Sequence, residues 1–159
     1  MTKNLISFFL LVCLGANMNN FQSLEINNYF NICDNMYVVC DNNKHILDSN
    51  STNIIMLELD GLCENSNEMP ALGVSIHNET ITELKKGLWL ILKYNDTQYH
   101  KDMPFDELLI NINSEDFGFN IIRGNNGTYD GRCYYLNINS NMSNLHNTII
   151  TILKKRTTG

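Results

Sequence analysis

The chain has 159 residues, 43 % of them hydrophobic, with 11 Lys+Arg against 17 Asp+Glu and a net charge of −6. One domain is the expectation at that length. The acidic balance, with only three arginines, argues against a nucleic-acid binder, which needs a basic face, and is compatible with a basic protein partner.

The amino end reads as a secretory signal peptide over residues 1–16. Lys3 supplies the positive charge, Leu5 to Leu14 the apolar run, and Gly15-Ala16 the small residues of a cleavage site. The run is too short to cross a bilayer, which takes about 20 residues. Residues 17–159 are then one secreted, extracellular domain. The best later apolar run, Leu88-Trp-Leu-Ile-Leu92, is only five residues long, so no membrane span is expected. The carboxyl end shows neither a lipid-anchor tail nor a retention signal.

Along the mature chain, alternation and β-branched or aromatic enrichment predict strands over 21–32, 36–40, 53–59, 72–77, 80–84 and 88–94. Further strands are predicted over 108–113, 117–123, 132–139 and 148–153. Turn chemistry separates them at Asp41-Asn-Asn43, Asp60-Gly61, Asn125-Asn-Gly127 and Asp130-Gly131. One short helix is expected over 102–109, where Asp102 caps and Pro104 comes early. The expectation is all-β: a two-sheet, mostly antiparallel sandwich with at most one short helix. Trp89, on a strand apolar on both faces, reads as core.

Cys13 leaves with the leader, so Cys33, Cys40, Cys63 and Cys133 remain. Four cysteines in an exported small domain predict two disulfides of unspecified pairing. Zinc fits less well, because six residues separate the closest pair and zinc signatures use two to four. Five sequons follow the leader, at Asn50, Asn78, Asn95, Asn126 and Asn141, in a chain of 26 asparagines. Each is a candidate N-glycosylation site on the surface.

Nothing predicts catalysis, a cofactor or a metal. The histidines at 45, 77, 100 and 146 are dispersed, and no nucleophile elbow or phosphate-binding glycine loop is present. Asp106-Glu107 and Glu115-Asp116 read as solvated surface, and the tail Lys154-Lys-Arg156 as a weak candidate for glycosaminoglycan.

Two family patterns are compared with "GTYDGRCYY", residues 127–135. An immunoglobulin domain suits the 70-residue separation of Cys63 and Cys133. It also wants Tyr two residues before the second cysteine and Trp soon after the first. Here Tyr129 precedes Cys133 by four residues and Trp89 follows Cys63 by 26. The chain is more similar to the poxvirus immune evasion family. The similarity lies in "NIIMLELDGLC" ending at Cys63, "LGVSIHNETI" after it and "GRCYYLNIN" from Gly131 to Asn139. An acidic, glycosylatable domain behind a signal peptide and an AT-rich residue bias agree with it. The chain departs from the larger chemokine binders in being shorter and in having four cysteines. The resemblance implies a secreted β-sandwich that sequesters a host chemokine, cytokine or immune receptor, and it identifies no ligand-binding residue by number. An Ig-like adhesion or receptor-mimic module is the alternative.

Overall fold

Two tight turns with left-handed backbone set the sheet's hairpins. Asp41 and Asn42 (φ 45° and 68°) join strand β1, Asn35–Cys40, to β2, Asn43–Ile46. Lys101 and Asp102 (φ 48° and 64°) join β4, Leu88–His100, to β5, Met103–Asn111. Asn and Asp tolerate this backbone, and such two-residue turns match the twist of paired strands. The structure is a computed structural model and describes residues 25–157. The expected signal peptide, with Cys13, lies outside the described residues.

With β3 (Asn67–Ser75), β6 (Gly118–Gly124) and β7 (Gly131–Asn137), the strands form one antiparallel sheet in the order β2-β1-β4-β5-β6-β7-β3. The two-sheet sandwich is therefore corrected to a single seven-stranded sheet with helices. The segment expected as a strand from residue 21 contains a 3-10 helix, Ile26–Ile32. Residues 53–59 lie in helix α1, Ser49–Cys63, residues 80–84 lie largely in α2, His77–Glu83, and residues 148–153 lie in α3, Ser143–Thr157. The short helix expected over 102–109 is instead the β4–β5 turn and strand β5.

Side-chain spacing explains these corrections. A strand would put Ile55, Leu57 and Leu59 on one face. In α1, Ile55 and Leu59 are fully buried one turn apart, and Leu57 is 73 % exposed. Asp48 caps the helix, its carboxylate accepting from the Ser51 N–H at 2.7 Å. In α3 the buried residues Leu145, Ile149 and Leu153 recur every four positions. Asp60-Gly61, expected as a turn, lies inside α1.

The sheet has two unlike faces. Val38, Leu90, Ile110, Ile121 and Tyr134 form one lateral row across five strands. This row and its neighbours are covered by the 3-10 helix, α1 and α3, and make the main core. Burying each such aliphatic side chain contributes about 1.5–3 kcal/mol. The alternating row, Tyr37, Ile91, Leu109, Ile122 and Cys133, lies on the opposite face. There Trp89, Ile91 and Leu109 form a smaller core under α2. Helix α1 connects the two sheet edges, and α2 returns the chain from edge strand β3 to central β4.

Candidate functional site

Helix α2 is fastened at both ends over the second face. At its start, the His77 N–H donates to Asp130 Oδ1 at 2.9 Å, and the His77 ring stacks on Tyr129 at 5.5 Å. At its end, the Trp89 indole N–H donates to the Lys86 carbonyl at 2.9 Å. Between these fastenings a groove of about 370 Å³ separates helix from sheet. Its floor contains Trp89, Ile122 and Cys133; its wall contains Ile76, Glu79 and Thr80.

The groove is apolar at its base and acidic along α2. Trp89 is 6 % exposed and Thr80 3 %, whereas Ile76 is 54 % exposed and Val74, which also lines the groove, 70 %. Two carboxylates, Glu79 and Glu83, line it, and no lysine or arginine does among the described residues. Glu83 pairs at 3.2 Å with Lys86, both side chains being exposed. A volume at the small end of ligand sites suits one or two inserted side chains better than a large cofactor.

Farther along this face Glu107 is buried, which corrects its expected place in a solvated Asp106-Glu107 pair. It accepts from the Tyr37 hydroxyl at 2.9 Å and pairs with Lys93 at 3.2 Å. Burial, and then the neighbouring Glu107 charge, pushes the Tyr129 hydroxyl up to about 12 and raises that of Tyr37 as well. With its charge met by Lys93 and Tyr37, Glu107 holds structure together.

The helix-covered side has its own buried carboxylate. Glu68 accepts from the Ile26 N–H (2.8 Å), His100 Nε2 (3.0 Å) and Lys101 Nζ (2.7 Å). Burial alone would raise its pKa, but the hydrogen bonds from Lys101, His100 and Ile26 outweigh it and hold the carboxyl below its ordinary range. Tyr29 adds a 2.5 Å bond to the Tyr99 carbonyl and an edge-on ring contact to His100. These contacts fasten the 3-10 helix to the sheet.

The four cysteines carry free thiols, so the two expected disulfides are absent among the described residues. Cys33 precedes β1 and Cys40 ends it, and a strand rise of about 3.3 Å per residue puts them well beyond the roughly 7 Å Cα limit of a bridge. Cys33, Cys40 and Cys63 pack against the helix-side core, whereas Cys133 belongs to the opposite row, across the sheet from them. The Cys63–Cys133 bridge of an Ig domain is not formed in this structure. Burial raises all four thiols, Cys63 to about 12.

All five sequon asparagines, Asn50, Asn78, Asn95, Asn126 and Asn141, are exposed. Asn78 lies on α2 about 100–160° around the helix from the groove-facing Glu79, Thr80 and Glu83. Asn141, in contrast, lines a 520 Å³ groove between α1 and α3 beside Ile54 and Leu57.

The histidines do not converge: His100 is buried beside Glu68, His77 stacks on Tyr129, and His45 and His146 lie on β2 and α3. No group of three or more His, Cys, Asp or Glu that could hold a metal occurs among the described residues. The wall residues Ile76, Glu79, Thr80 and Glu83 are the site residues that sequence reading missed. Their three- and four-residue spacing was the available signal. No family model, curated protein or solved structure matches the chain.

Proposed function

We propose that this is an exported, non-catalytic binding protein that sequesters a protein ligand on the sheet face opposite the main helices. One observation carries the reading: a Trp89-floored apolar groove lies open on that face, with Ile76 and Val74 exposed beside it. An apolar pocket edged by exposed hydrophobic residues marks an interaction site, and buried aromatic anchors dominate binding energy.

Glycan placement supports this face. A glycan on Asn78 points away from the groove, and one on Asn141 covers the competing groove between α1 and α3. Export is supported by the leader-like run Leu5 to Leu14 and by the exposure of all five sequons. The immune class of ligand is supported by the resemblance in sequence pattern alone, since the implied sandwich is not the fold. It directs the search to host chemokines, cytokines and lymphocyte receptors.

The test expresses the full chain in mammalian cells, recovers it from the medium and passes it over an array of those proteins beside an Ile76→Asp variant. Binding below micromolar that the variant loses supports the proposal. Retention inside the cell, or no binding across the array, contradicts it.

A further inference from the structure

The groove's charge narrows what it holds, given the binding reading just proposed. We infer that its occupant is a protein segment presenting an aliphatic side chain beside a lysine or arginine. The aliphatic group seats on Trp89 and Ile122, and the cation meets Glu79 and Glu83. Three observations converge on that chemistry.

Among the described residues the lining contains two carboxylates and no cation, so the groove carries a local negative charge within a chain already at −6. Glu79 is exposed and has no ion pair among the described residues. Among the described residues Glu83 pairs only with Lys86, three residues away, with side chains 58 % and 67 % exposed. Exposed pairs of this kind are weak, so an incoming cation displaces Lys86 at little cost. An anionic or purely apolar segment would leave both carboxylates facing an apolar surface or a like charge, which is unfavourable.

The geometry also sets the spacing. Glu79 and Glu83 stand four residues apart on one helix, about 6 Å along its axis. Trp89 and Ile122 lie beneath them on the sheet. A cation adjacent in sequence to the aliphatic anchor meets one of the carboxylates while the anchor stays seated. Cations on both sides of the anchor meet both.

Trp89 is the only tryptophan, so its fluorescence reports occupancy of this groove without a label. The experiment titrates the full chain with acetyl-Arg-Leu-Leu-Arg-amide and, separately, acetyl-Glu-Leu-Leu-Glu-amide, reading Trp89 emission. The cationic peptide is expected to give a saturable change at about tenfold lower concentration than the acidic one. Glu79→Gln combined with Glu83→Gln is expected to shrink that preference to about twofold, as is raising salt from about 0.05 to 0.5 M. Equal affinity for the two peptides, or a preference that survives the double variant, overturns the cationic assignment and leaves the groove as the binding site. No emission change with either peptide overturns the groove reading as well.

Discussion

Trp89 donates its indole N–H to the carbonyl of Lys86 at 2.9 Å, which ties the sole tryptophan to the segment that ends the helix above it. The groove floor and its acidic wall are thus mechanically joined. Trp89→Phe keeps most of the ring burial but removes the donor, and should cost about 1 kcal/mol. Trp89→Ala also empties the small core and should cost about 3–5 kcal/mol. Urea denaturation followed by circular dichroism measures both. A Phe variant as stable as the parent would show that the indole bond contributes nothing.

That residue also shows how much the sequence carried. The continuous apolar run around Trp89 marked a central strand, and β4 does lie between β1 and β5. The strands at 36–40, 88–94, 117–123 and 132–139 were legible for the same reason: alternation or dense β-branched content. The helices were harder to read. Asn53-Ile-Ile-Met-Leu-Glu-Leu59 has both β-branched content and an i, i+4 pair, and the buried positions Ile55 and Leu59 show which period governs. Glu107 and Glu68 were unreadable as core, because their partners Tyr37 and His100 are 70 and 32 residues distant. The groove is hidden with them, since the β-branched content of residues 80–84 predicts a strand where the wall is helical.

Stability should fall in acid through Glu68. Its folded-state carboxyl sits below the ordinary range, so its contribution is fully present above the unfolded pKa and is lost as pH falls through the folded value. Glu68→Gln should remove that dependence and destabilise the protein by about 3 kcal/mol at neutral pH, because Lys101 and His100 lose their anionic partner. Urea midpoints from about pH 7 down to about pH 3 provide the check. Parallel slopes in parent and variant would contradict it.

Gly131 has φ 141°, and a Cβ there would overlap the Arg123 guanidinium. That guanidinium donates to the carbonyls of Pro104 at 2.5 Å and Asp130 at 3.0 Å, joining the start of β5 to the loop before β7. Gly131→Ala should cost about 2–3 kcal/mol in thermal or urea unfolding. A neutral effect would mean that the loop relaxes without disturbing Arg123.

The thiols should be countable. Alkylation of the denatured, unreduced full chain should modify Cys33, Cys40, Cys63 and Cys133, together with Cys13 wherever the leader is retained. In the native protein Cys63 should react slowest, its thiolate being suppressed by burial. Peptide mass spectrometry after alkylation reads both outcomes. Any pair among those four that becomes reactive only after reduction would contradict the free-thiol arrangement.

The central claim is that the sheet face under α2 holds a protein ligand. Hydrogen–deuterium exchange of the full chain, alone and saturated with the tightest binder from the host-protein array, tests it most directly. Exchange should slow in His77–Glu83 and around Ile122 and Cys133, with α1 and α3 unchanged. Protection confined to the groove between α1 and α3, or an array that yields no binder, would contradict it.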